Sequence, residues 1–510
     1  MLDRPTQGDQ HDELVIALVG AVGTDLQGVC EDVGVVLGGF GYESAPIPLS
    51  GLLRELDWDQ ELNDEHHDEH IWTYMEAGNE LCRRWDRKDA LALLATARIH
   101  QRREEAGLAN LPLRRTAYLL RSLKRPDEVE FLRGVYGSRL ILIGAYSSRE
   151  DRMRALIDKI SRDRQSDDPN DWRHRPETLI ECDEAEGIPG GQDVRGTYHL
   201  ADFFVDSRSN SKDSMTRFFR GLFGDPKVTP NKDEFGLFQA EAAGLRSAEM
   251  GRQVGVAIAS ERGQILAVGT NEVPRFGGGA YWTDDDDVDD AREIAYGTDT
   301  NDVMKRELAQ AIADRVQPLL AANTEMPNVV EQVSATRLGD LIEFGRATHA
   351  EMAAITDAAR TGIAIAGATM FTTTFPCHNC TRHIISAGIK RVVYVAPYAK
   401  SLARDLHHDA ITVAAARPST THVNLEPFVG VAPRRYMDIF KWERKRKKTD
   451  GSGETIDFDP KTATPRLADL EPDELVSTRL PYLVREGVVQ RLVKLTGEAA
   501  GLAVVENDDE

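Results

Sequence analysis

Two short patterns, His349-Ala-Glu351 and Pro376-Cys377-His-Asn-Cys380, constrain what this chain can fold into more than any other feature of its 510 residues. Two cysteines three apart at a helix start can present both sulfurs to one metal ion. The partial positive charge of a helix N-terminus favours their thiolates. Pro376 fixes the chain before that helix. The imidazole of His349, from a second helix, brings the protein ligands to three and leaves the fourth position of a zinc tetrahedron for water. His378 and His383 offer a fourth ligand in principle, but His378 sits between the cysteines and is badly angled to share their metal. Glu351, two residues beyond His349, can lie beside the metal without ligating it, the place for a proton shuttle. The two helices must then meet across a strand. Ala347–Thr361 reads as a helix, Ala368–Thr373 as a strand, Cys377–Ala387 as a helix and Arg391–Val395 as a strand. Ahead of them Gln253–Ala259 and Gln264–Val268 read as strands joined by a hairpin at Ser260–Gly263. Together they predict a three-layer α/β/α module.

The chain is too long for one core, and two or three domains are expected. Leu14–Val19 (LVIALV) and Arg139–Gly144 (RLILIG) read as buried parallel strands, with Thr197–Val205 as a third. Leu26–Leu37, Ala90–Gln101 and Thr116–Leu123 read as helices, which predicts a parallel α/β domain over 13–222. The breaker-rich Gly221–Thr229 marks a boundary, and the second module spans 230–440 with a charged helical insertion at 299–341. Residues 441–510 form an extension with a basic run, Lys441–Lys448, and an acidic tail, Glu506–Glu510. In the first domain, Gly20, Gly23 and Thr24 lie in a loop between strand and helix, where exposed amides could cradle an anion. A full phosphate-binding loop needs GxxxxGK[ST]. Here Asp25 takes the place of the second glycine and no lysine follows, so the domain is P-loop-like but degenerate. Sensing or scaffolding suits it better than NTP hydrolysis. Arg121, Lys124, Arg125 and Arg133 could meet phosphates, although a surface charge cluster is the plainer reading. Asn63–His70 and Asp284–Asp290 carry groups able to bind metal, but read by default as solvated segments.

Net charge separates the remaining classes. With 62 basic and 84 acidic residues the chain carries −22, which disfavours general DNA or RNA binding. Five cysteines are too few for a disulfide scaffold, no apolar run spans a membrane, and the N-terminus lacks a signal core, so a cytoplasmic location is expected.

The order H-x-E…P-C-x-x-C is the established signature of zinc deaminases. The stretch from Phe235 to Phe440 resembles the cytidine and deoxycytidylate deaminase superfamily, nearest its deoxycytidylate branch. Arg246–Gly255, Gly269–Pro274 and Gly345–Glu351 support the likeness. The resemblance implies a sugar contact at Asn271, for which a turn before Pro274 is the competing role. It also implies a base contact at Tyr398, matched weakly and equally compatible with a packing tyrosine. The whole chain resembles two-domain bacterial anti-phage deoxycytidine nucleotide deaminases. That family implies conversion of dCTP or dCMP to uracil nucleotides; one Zn²⁺ per chain is expected, and Mg²⁺ could accompany the nucleotide. It also implies a homo-oligomer and depletion of a DNA precursor during infection; an inhibitory RNA or protein partner is conceivable. The alternative, deamination of cytosine or adenine in single-stranded nucleic acid or tRNA, would want a basic groove with stacking aromatics. This acidic chain has 7% aromatics.

Overall fold

The computed structural model describes residues 13–504 apart from 60–61, 64, 110, 166–173, 185–190, 209–210, 286–288, 322–324, 399–400, 416, 443–444 and 468–480. The tail 506–510 lies outside the described residues, as do parts of the segments 63–70, 284–290 and 441–448. The chain divides into two units, 1–230 together with 429–510, and 231–428. Both are mixed α/β with a sheet dominated by parallel pairs. No described helix is long and apolar enough to cross a membrane.

The first unit is built on strands β1 (Glu13–Val19), β2 (Glu43–Pro48), β3 (Thr116–Leu123), β4 (Leu140–Tyr146) and β5 (Phe203–Asp206). The sheet order is β12-β5-β4-β1-β3-β2, where β12 is Gly430–Val431, antiparallel on β5. The central strand β1 is buried along its whole length, as a parallel strand covered on both faces must be. Leu14, Ile16 and Leu18 pack with Val29, Val33 and Leu37 of helix Leu26–Gly39 and with Phe218 and Phe219 of helix Ser211–Leu222.

Three expectations are corrected here. Thr116–Leu123 is strand β3 and not a helix: its apolar run pairs with β1 on one side and β2 on the other. A run of that length carries no period that separates a buried strand from a buried helix. Thr197–Val205 is not one strand, because a short helix, Val194–Tyr198, capped by Asp193, precedes β5. The second module ends at Phe428, not at 440, and the extension expected over 441–510 is not separate: residues 429–510 go together. They cluster with the first unit and contribute β12 and helices Pro433–Phe440 and Pro481–Ala500 to it.

The second unit holds β6 (Gly255–Ala259), β7 (Ile265–Thr270), β8 (Thr369–Thr374), β9 (Arg391–Ala396), β10 (Ile411–Val413) and β11 (Val423–Pro427), in the order β10-β11-β9-β8-β6-β7. The β6–β7 hairpin is antiparallel, β6 is also antiparallel to β8, and β8-β9-β11-β10 run parallel. Two glycines set the distance of the helices from this sheet. A Cβ on Gly255 would meet the Ala240 carbonyl of helix Lys232–Gly244 at 1.8 Å. A Cβ on Gly269 would meet the Ala350 carbonyl at 2.2 Å and the Ala354 nitrogen at 2.5 Å, on helix Ala350–Thr361. Gly269 therefore lets that helix lie directly on β7. Residues 299–341 include helices Thr300–Val316 and Met326–Ser334, and the second has no buried residue.

Candidate active site

His349 is the residue just before helix Ala350–Thr361, and Cys377 holds the same place before helix His378–Ser386. Both helix starts stand at one end of the sheet. The backbone of Thr348 bonds Glu272 in both directions, at 3.0 and 3.3 Å, and the Phe375 amide donates to the Ala396 carbonyl. The first pair ties the start of helix Ala350–Thr361 to the end of β7, and the second ties the end of β8 to the end of β9. His349 Nδ1 then lies 3.3 Å from Cys377 Sγ and 3.3 Å from Cys380 Sγ. The Cys380 amide donates to Cys377 Sγ at 3.3 Å, the helix-terminus contact that favours a thiolate.

The three side chains act on one another's proton affinities. The hydrogen bond from Cys380 and the neighbouring imidazole hold the Cys377 thiol down at about 4. Cys380, the donor in that pair, is pushed far up, and burial adds to the shift. The bond to Cys377 raises the His349 imidazole. One imidazole and two sulfurs converge, with all three ligand atoms within 4.8 Å of one another. That donor set fits zinc with one position left over.

Glu351 is 4% exposed, in the first turn of its helix. Burial and then the charge on Cys377 raise its carboxyl above the ordinary range. It lines a cavity of 390 Å³ together with His349, Cys377, Asn271 and Tyr398. Asn271 does a structural job first: its Oδ1 accepts from the Val254 amide at 2.7 Å and its Nδ2 donates to the Arg252 carbonyl at 2.7 Å. One acceptor position and one hydrogen of that amide remain for a ligand. Tyr398 is partly buried, and its hydroxyl is raised by burial.

Sequence reasoning missed the rest of the wall. Lys305, Asn301 and Asp340 of the insertion face the same cavity, as does Arg252. Glu249, Glu293 and Asp299 also line it, as a second group of ligand atoms within 4.8 Å of one another. An insertion's contribution has no local pattern that announces it; a lysine in a charged helix looks like any solvated lysine. Among the described residues no other group of three His, Cys, Asp or Glu ligand atoms converges in this way. The histidine-rich segment is spent elsewhere. Asp68 and Glu69 pair with Arg164, and Asp163 takes the His67 amide. Among the described residues of that region, the helix His67–Trp85 begins only at its second half.

Two carboxylates of the chain engage the loop bearing Gly20, Gly23 and Thr24, while the Thr24 hydroxyl is buried without a hydrogen-bond partner. Asp25 caps the following helix at the Gly28 amide (3.0 Å), and Asp183 takes the Val22 amide (2.6 Å) while pairing with Lys124. Its glycines serve packing: a Cβ at Gly20 would meet Leu26 at 2.9 Å, and Gly23 has φ +86° against Arg152.

The family model of the cytidine and deoxycytidylate deaminase zinc-binding region matches residues 230–396. The deoxycytidylate deaminase of Enterobacteria phage T2 is 49% identical over 53 residues, 10% of this chain. ComE operon protein 2 of Bacillus subtilis is 43% identical over 53 residues. The chain spans 28% of the length of these curated relatives. A dCMP deaminase from the cyanophage S-TIM5, solved with dCMP and dUMP, aligns over 40% of this chain and 100% of its own, at 19% identity and a TM-score of 0.23.

Proposed function

We propose that the unit 231–428 is a hydrolytic deaminase of free deoxycytidine nucleotides, taking dCMP, dCTP or both to the uracil nucleotide and ammonia. The carrying observation is the His349–Cys377–Cys380 triad with buried Glu351 on the same cavity wall. The match of residues 230–396 to a deaminase zinc-binding region supports the reading.

Zinc bound by the triad would supply a Lewis acid and lower the pKa of a water to about 7. This chain's own part is the movement of protons. Glu351, already raised in proton affinity, takes the proton of the attacking water. It delivers that proton to the cytosine ring nitrogen beside the attacked carbon. It then carries a second proton to the leaving amino group, so that water adds, ammonia departs and the carboxylate is restored. Asn271 would offer its remaining amide positions to a sugar hydroxyl, and Tyr398, on the same cavity wall, would contact the base. Lys305 and Arg252, the cationic side chains on the lining besides His349, would meet the phosphate. A cavity with five acids on its wall and a chain of charge −22 suit a mononucleotide better than a polynucleotide. Depletion of deoxycytidine nucleotides against phage is the role proposed for the whole chain. Glu351→Gln tests the chemistry: metal analysis should find zinc retained, and ammonia release should fall by about 10²–10⁴-fold, the usual contribution of a positioned acid–base group. Undiminished turnover would remove Glu351 from the mechanism.

A further inference from the structure

We propose that the first unit carries a second ligand site, a pocket for a small organic phosphate centred on Arg121. The pocket has a volume of 290 Å³. Pro46 and Pro48 of β2 and Leu119 and Arg121 of β3 form one wall, alternate residues that share a sheet face. One face of helix Leu26–Gly39 forms the other. It runs along one face of the edge strand β2 and its neighbour β3, from Ser44 near the start of β2 to Pro48 and Arg121, which pair toward the carboxyl ends.

Two polar groups in this pocket lack partners. Among the described residues the Arg121 side chain makes no ion pair and no hydrogen bond, although its charge opposes the rise that burial imposes on the Cys30 thiol of the same lining. Its neighbours differ: Lys124, Arg125 and Arg133 are each paired with a carboxylate. The Ser44 hydroxyl is buried with no hydrogen-bond partner. Glu31, the acid on the lining, is held by Gln27 at 2.6 Å. Beside Arg121 the strand carries a bulge at Ser122 (φ +81°), where the β1–β3 register slips by one residue. A half-buried guanidinium without a counterion is matched by a forked oxyanion, with the serine hydroxyl as a second donor. The prolines and Leu119 match an apolar or planar body attached to that anion, more than a bare ion. The volume stands at the low end of ligand pockets, about 300–1,000 Å³, which suits a monophosphate and leaves little room for a triphosphate. The inference stands independently of the deaminase reading, because none of these residues lines the zinc cavity.

Calorimetric titration of the full-length, zinc-loaded protein with AMP, inorganic phosphate and adenosine tests it. None of these probes offers a cytosine ring to the zinc site. AMP should bind, phosphate should bind more weakly, and adenosine weakest of the three. Arg121→Met should weaken AMP by about tenfold or more, the worth of one charge-assisted hydrogen bond. Ser44→Val, which fills the pocket and keeps the charge, should do the same and decides the matter if Arg121→Met fails to fold. Lys305→Ala should leave AMP binding unchanged. Equal affinity in the native chain and both pocket variants overturns the proposal. So does loss of AMP binding in Lys305→Ala alone, or no binding of AMP or phosphate to the native chain.

Discussion

Lys305 stands at the edge of a cavity whose wall is otherwise rich in acid, and its ammonium has as its ion-pair partner Asp302 (2.7 Å), itself 58% exposed. A partner so well hydrated gives up little when a phosphate arrives. Lys305→Ala should raise KM for dCMP by about 10–100-fold, the range for a hydrogen bond to a charged group. It should leave kcat/KM for deoxycytidine, which has no phosphate, unchanged; equal losses on both would make Lys305 a packing residue. Glu249 gives a pH signature. Burial first, then Glu293, Asp299 and Glu272, raise its carboxyl to about 7. A carboxyl raised in this way favours the fold while protonated and loses that contribution as pH rises through 7. Glu249→Gln should therefore melt above the native chain at about pH 8 and level with it at about pH 4, by calorimetry at both values. A gap that persists at the lower pH would contradict the assignment. His349, Cys377, Cys380 and Glu351 were legible in the sequence because ligand spacing is local. Lys305 and Glu249 were not, because tertiary folding alone brings them to the cavity.

The helix Ala350–Thr361 owes its position to a residue outside it. Gly269, on β7, leaves the space in which the first turn of the helix lies. Gly269→Ala places a carbon 2.2 Å from the Ala350 carbonyl, so the helix must move and carry His349 and Glu351 with it. The overpacking cost is about 1–3 kcal/mol. The variant should unfold at lower denaturant and bind zinc more weakly; native zinc affinity would show that the helix start is held by other means. Elements with a clear period or punctuation were readable beforehand, such as the β6–β7 hairpin at Gly263. The strand β3 was not: TAYLLRSL has no alternation, since both its faces are covered, and length alone does not separate it from about two helical turns.

The return of the chain to its first unit has a physical basis that no local pattern carries. Arg103 is fully buried and holds Glu13 of β1 at 2.9 Å and Glu486 of helix Pro481–Ala500 at 2.7 Å. The Tyr118 and Tyr482 hydroxyls donate to the same Glu13, at 3.0 and 2.7 Å. A buried cation bound by two acids is satisfied only when the first and last segments of the chain meet, hundreds of residues apart in sequence. Read locally, the C-terminal segment is a charged extension; in the structure it completes a core. For the molecule as a whole the central claim concerns the substrate. Ammonia release should be measured from dCMP, dCTP, CTP, deoxycytidine and a cytosine oligonucleotide, each with the zinc-loaded full-length protein and its Glu351→Gln variant. Fastest turnover of dCMP or dCTP, abolished by Glu351→Gln, is the predicted result. Faster turnover of the oligonucleotide than of every mononucleotide would contradict it.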